Sequence, residues 1–158
     1  MSTTAATSPD SPAPGFCSVR PATAADIDAV FALVAQLGIG EAPRRDSFEL
    51  AFAGALEVST GNMLLVAEFN GDVVGYALAT SARLLYTNGD SAQLQELVVD
   101  AQSRGHGIGS QLVGAVEREC RSRHIRQLTV ASKRAAAFYE QLDYRSTADF
   151  LKKSFLDN

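Results

Sequence analysis

A chain of 158 residues, 46% apolar and 20% charged, is long enough for one domain with a real core and too ordinary in composition for a fibrous or disordered protein. Its formal net charge of −4 argues against a protein that binds nucleic acid over its whole surface. Two cysteines and two histidines, none at ligand spacing, leave no structural metal site, and no apolar run reaches the length of a membrane span. The N-terminus lacks a basic region followed by an apolar one, so the expectation is a cytoplasmic protein with Cys17 and Cys120 as reduced thiols.

Residues 1–15 are small and polar with too little apolar surface to offset ordering, which predicts a disordered tail. The domain, residues 16–158, begins with a strand at Phe16-Cys17-Ser18-Val19-Arg20 that Pro21 ends. Thr23 then caps a helix, with Asp26 in its first turn. Ile27, Val30, Phe31, Val34 and Leu37 recur at helical spacing before Gly38 stops it. After a loop from Gly38 to Arg45, a second helix runs from about Asp46 to Glu57 with Phe48, Phe52 and Leu56 on one stripe. Met63 to Phe69, Asp72 to Leu85 (bent near Gly75) and Ala92 to Val99 then read as three antiparallel strands. Asn70-Gly71 and Asn88-Gly89 are the hairpin turns between them.

The pattern changes after Val99. Arg104-Gly105-His106-Gly107-Ile108-Gly109-Ser110 is a loop with glycine at alternate positions, leading into a helix on which Ile108, Leu112, Val116 and Cys120 repeat. Alternate glycines let backbone N–H groups converge, and a helix N-terminus adds unpaired donors and a positive dipole end, so this stretch is suited to a phosphate. No Gly-Lys-Ser/Thr follows, so it is not a Walker loop. The spacing is also not G-x-G-x-x-G, and the unit does not open a βαβ series. A helix to about Arg123 and a strand from Gln127 to Val130 imply a parallel pair with the strand before the loop. A short helix from Ala135 to Leu142, a strand near Tyr144 and a last strand around Phe150 to Phe155 complete the chain. The result is an α/β (α+β) fold in the order β-α-α-β-β-β-α-β-α-β-β, a mixed sheet with helices on both faces and no second domain.

Arg104 to Gly109 matches the Arg/Gln-x-x-Gly-x-Gly/Ala signature of the GNAT N-acetyltransferases. Leu97-Val98-Val99-Asp100 is similar to their fourth strand, and Ala135 to Tyr144 resembles their A-x-x-F-Y-x-x-x-G-F/Y motif, with Asp143 in place of the usual glycine. The element order is also that of the family. The resemblance covers nearly all of residues 16–158. It implies an enzyme that moves an acetyl group from acetyl coenzyme A to a primary amine by direct transfer in a ternary complex, without a metal.

By position, the resemblance gives the pyrophosphate to the N–H groups of Gly105, Gly107, Ile108, Gly109 and Ser110, with charge from Arg104. His106 either faces phosphate or contributes only its N–H. Leu97, Val98 and Val99 line the pantetheine, with the Val98 N–H set to polarise the thioester carbonyl, and Ser132 touches the cofactor. Glu96 is the candidate base against a sheet carboxylate with a structural partner, and Tyr139 the candidate acid against aromatic packing. Arg118, Arg121, Arg123, Arg126 and His124 read as helix-end residues. The acceptor, a small-molecule or peptide amine, is left to the Gly38–Arg45 loop, the second helix and the region from Arg83 to Asn88. The donor could also be a longer acyl group. A non-catalytic acyl-coenzyme-A sensor is the alternative on the same fold, and the last strands could pair across a homodimer.

Overall fold

The computed structural model describes residues 17–155, and the tail expected over residues 1–15 lies outside them. Five strands form one sheet in sequence order: β1 (Cys17–Pro21), β2 (Asn62–Phe69), β3 (Asp72–Leu84), β4 (Gly89–Val99) and β5 (Gln127–Val130). The first four are antiparallel neighbours, and β5 runs parallel to β4, as the intervening helix requires. The helices are α1 (Ile27–Val34), α2 (Arg45–Ala55), α3 (Ile108–Ser122) and α4 (Ala136–Glu140).

Each face of the sheet has its own core. On one, Val30 and Leu33 of α1 and Phe52 of α2 pack on Leu64, Val66, Tyr76 and Val98. On the other, Ile108, Leu112, Val113, Val116 and Cys120 of α3 and Tyr139 of α4 cover Met63, Leu65, Ala77, Ala79, Ala92 and Leu94. Asn70 and Gly71, at φ 53° and 86°, make the two-residue turn that the sequence predicts between β2 and β3. Asn88-Gly89 is not a two-residue turn: Leu84 pairs with Gly89, so residues 85–88 form the loop and only Asn88 among them takes a positive φ. The bend expected near Gly75 is a bulge at Val74, where Ala67 pairs with Gly75 but Glu68 pairs with Val73.

Helix ends follow local chemistry. His124, at φ 57°, ends α3, with the Ile125 N–H donating to the Cys120 carbonyl. Asp143 stands in the left-handed region at φ 68°, a conformation that glycine takes freely and an aspartate tolerates better than most residues.

The two C-terminal strands expected from the sequence are absent among the described residues, where 141–155 run as turns and irregular chain. Tyr144 is tied to α3 by its hydroxyl, which donates to Glu117 at 3.0 Å, and the chain leaves from there. The polar run Arg145-Ser146-Thr147-Ala148-Asp149 offers no apolar face to offset ordering, and Phe150, Leu151 and Phe155 stay exposed.

One ion cluster fastens β1 to its neighbours. The Arg20 guanidinium donates to both oxygens of buried Asp26, at 2.8 and 2.9 Å, and to Glu68 on β2 at 2.7 Å. The Thr23 N–H also donates to Asp26 at 2.8 Å. The Arg20 bonds outweigh desolvation and hold the Asp26 carboxyl at about 2, against an ordinary 3.8. A depressed folded pKa contributes stability that is complete above the unfolded value and fades as pH falls through the folded one. Asp26→Asn should therefore cost about 2 kcal/mol at pH 7 in urea unfolding, and the difference from wild type should shrink between pH 4 and 2. An equal difference at pH 7 and pH 2 would show that packing, not ionisation, carries the effect.

Candidate active site

β4 changes character at Gln95. Ala79 pairs with Leu94 and Leu78 with Glu96, so Gln95 stands opposite no residue of β3. This is a β-bulge, and an extra residue in a strand flips the faces of everything after it. Ala92 and Leu94 face α3. By simple alternation Glu96 and Val98 would join them, but Val98 packs with Tyr76 on the α1 and α2 face, and Leu97 and Val99 turn to α3 instead. Glu96 accordingly lies beside Tyr76, whose hydroxyl donates to its Oε1 at 2.8 Å.

The bulge also ends a pairing. β4 and β5 are bonded from Ser91 with Gln127 to Leu94 with Val130, and no further. From Glu96 to Val99, β4 is paired on its β3 side only. The two parallel strands thus part where Glu96 begins, and the gap runs toward the glycine loop.

That loop is built to accept an anion. Gly105 and Gly107 have φ of 85° and 74°, a region that side chains with a Cβ rarely adopt. A Cβ at either would meet nothing within 4 Å, so open space lies against the loop. Gly107 is the N-cap of α3 without a side-chain cap, and the Gln111 N–H makes the bond to the Gly107 carbonyl. The N–H groups of Ile108, Gly109 and Ser110 precede that bond and have no partner within the helix. Gly109 is helical and tightly placed. A Cβ there would come within 3.5 Å of Phe138 on α4 and 3.8 Å of Val99 on β4. The loop, the open part of β4 and α4 therefore meet at Gly109.

Several side chains have local duties. Arg104 Nε donates to the Val99 carbonyl at 3.3 Å, which ties the start of the loop to the end of β4. His106 Nδ1 lies 3.1 Å from the Ser103 carbonyl, and its ring lies 5.6 Å from that of Phe69, so the imidazole is turned to the protein. Ser132 Oγ accepts from the Ala135 N–H at 3.1 Å and shapes the turn into α4. Tyr139 is buried, its ring in edge contact with Phe138 and Tyr144, and burial pushes its pKa up. The two cations that end the Gly38–Arg45 loop are paired: Arg44 with Asp46 and Ser47, and Arg45 with Asp28 and Glu49 over the Phe31 ring. The Gly38–Arg45 loop does enclose a cavity of about 230 Å³ against Val34 and Leu37. A larger groove, about 490 Å³, lies between α3 and β1, on the side of α3 away from α4 and the open edge.

Two residues near the site were missed in the sequence. Tyr76 had a signal: a tyrosine in a buried strand needs a partner for its hydroxyl, and Glu96 is the acid available one strand over. Gln36 had none. It follows α1 and bonds Asp100 through Nε2 at 2.8 Å and the Ala101 N–H through Oε1 at 3.0 Å, bracing the chain where it leaves β4.

A family model described as an acetyltransferase (GNAT) domain matches residues 60–146, which include the bulge, the glycine loop and α4. The aminoalkylphosphonate N-acetyltransferase of Salmonella typhimurium is 33% identical over 135 residues, covering 83% of this chain and 86% of the relative. A crystal structure of a transcriptional regulator from Bacillus halodurans superposes with a TM-score of 0.80 at 26% identity, over 89% of this chain and all of that one. A predicted acetyltransferase from Clostridium acetobutylicum, solved with acetyl-CoA, shares the fold at a TM-score of 0.74 and 18% identity, over 88% and 96% of the two chains.

Proposed function

The chain belongs to the GNAT acetyltransferases and is an acetyl-CoA-dependent N-acetyltransferase, and we propose that it transfers directly to a small primary amine across the gap that the Gln95 bulge opens beside β4. The bulge carries this reading. It leaves one stretch of sheet edge unpaired and sets a carboxylate beside it. The glycine loop fits the pyrophosphate of coenzyme A, through the free N–H groups of Ile108, Gly109 and Ser110 and the open space against Gly105 and Gly107. Bound there, acetyl-CoA supplies an acetyl group activated as a thioester.

The remaining roles fall to the chain's own residues. Leu97 and Val99 turn their backbone groups to the unpaired edge, with the Leu97 N–H as the donor to the thioester oxygen; the Val98 N–H expected in that role faces β3 instead, because the Asp100 N–H bonds the Val74 carbonyl and strand alternation turns Val98 the same way. Glu96, on the α1 and α2 face, accepts the proton that the attacking amine must lose, directly or through a water. Tyr139, on the α3 face, donates toward the departing sulfur. Acid and base thus approach the edge from opposite sides of the sheet. Arg104, tied to the Val99 carbonyl at the start of the loop, adds positive charge, while His106 and Ser132 contribute through the turns they hold.

The Salmonella relative makes aminoalkylphosphonates the first acceptors to test. Thiol release from acetyl-CoA that depends on an added amine supports catalysis. Tight coenzyme A binding without release across an amine panel would favour the sensor reading. The cradle has its own test in Gly107→Val. A β-branched residue at φ 74° is strained and fills the anion space. Calorimetry should show coenzyme A binding at least about tenfold weaker, one lost phosphate contact being worth that much. An unchanged Kd would overturn the cradle.

A further inference from the structure

Glu96 needs more than its backbone to hold it. It follows an unpaired residue, on a strand that has just lost one neighbour, and it is only half-buried. A long carboxylate side chain in such a place samples several rotamers unless something holds it. The structure supplies a strut. Tyr76 is 2% exposed, and its ring is packed among Val30 and Leu33 of α1, Phe52 of α2, Val66 and Val98. Two helices and two strands therefore fix the ring, and its hydroxyl ends 2.8 Å from Glu96 Oε1.

We propose that Tyr76 is a positioning residue for the transfer: its hydroxyl clamps Oε1 of Glu96 at the open edge of β4 and leaves Oε2 as the oxygen that takes the acceptor's proton. This rests on the reading of Glu96 as the base. The clamp holds at every working pH, because burial and the Glu96 charge keep the phenol's pKa far above its ordinary value and its proton in place. It links the core under α1 and α2 to the geometry of the site. A packing change around Tyr76 is therefore felt as a change in kcat.

A double-mutant cycle tests this with Tyr76→Phe, Glu96→Gln and the pair. Phenylalanine keeps the ring contacts and removes only the hydroxyl. Tyr76→Phe should lower kcat by about tenfold with KM for both substrates within about twofold, as loss of alignment does. In the Glu96→Gln background the same substitution should change kcat by less than about twofold, because the group it acts through is already gone. An unchanged kcat in Tyr76→Phe, with or without a fall in Tm, overturns the proposal, as do losses that multiply in the double variant. If Glu96→Gln itself retains full kcat, the base assignment fails and the clamp fails with it. If Glu96→Gln is slow and Tyr76→Phe is not, only the clamp fails.

Discussion

Tyr139→Phe is expected to lower kcat by about a hundredfold while leaving the Kd for coenzyme A within about twofold. The substitution keeps the ring between Phe138, at 4.9 Å, and Tyr144, at 5.6 Å, so the α4 core and its approach to Gly109 are retained. Only the hydroxyl is lost. Burial raises the Tyr139 pKa above its ordinary 10.0, so the group is protonated throughout the neutral range and is always a donor. A departing thiolate is a weaker base than such a phenolate, since an ordinary thiol titrates near about 8.5. In the proposed role the hydroxyl would act mainly through a hydrogen bond that strengthens as charge collects on sulfur, and such a bond helps the transition state more than the bound substrate. Single-turnover measurement of thiol release separates this from slow product departure. An unchanged rate would return Tyr139 to a packing role in the cluster with Tyr144.

The contrast between Tyr139 and Glu96 shows what the sequence could and could not reveal. The segment holding Tyr139 reads as a short helix because its pattern is local, and Asp143 takes the positive φ that the helix end requires. The glycine loop is legible for the same reason: Gly105 and Gly107 carry the backbone conformation that their residue type permits. Asn70-Gly71 is equally direct.

The bulge is a different case. Ala92 to Val99 contains no glycine or proline to mark it, and Leu97, Val98 and Val99 are all apolar, so either face assignment satisfies the pattern. Only the pairing with Leu78 and Ala79 on β3 reveals that Gln95 is the extra residue. The same limit holds at Asn88-Gly89, where the register of Leu84 with Gly89, and not the dipeptide, fixes the loop. Strands near Tyr144 and around Phe150 to Phe155 are expected from the sequence, but the intervening Arg145 to Asp149 lacks an alternating face. Side chains posed a further difficulty. Arg44 and Arg45 end the loop left to the acceptor, and the sequence pattern does not reveal that each has an acidic partner.

In the proposed mechanism the glycine loop holds the donor, and the bulge at Gln95 places the base. It turns Glu96 off the α3 face, ends the pairing with β5 and opens the edge on which the thioester would lie. Without the extra residue, Glu96 would point into the core that holds Leu94 and Ala92, where an unpaired carboxylate is costly to bury.

The most direct measurement is the pH dependence of kcat/KM for wild type and Glu96→Gln with one amine acceptor. Glutamine keeps the shape of the side chain and can still accept from Tyr76, but it cannot take a proton from the amine. The account predicts a fall in kcat of two to three orders of magnitude, about 100- to 1,000-fold, with a KM for acetyl-CoA changed by less than about twofold. It also predicts that the acid limb of the wild-type profile is lost in the variant. A Glu96→Gln enzyme that keeps both its rate and its acid limb would contradict the account, and would make another group, or the acceptor amine itself, the one that titrates.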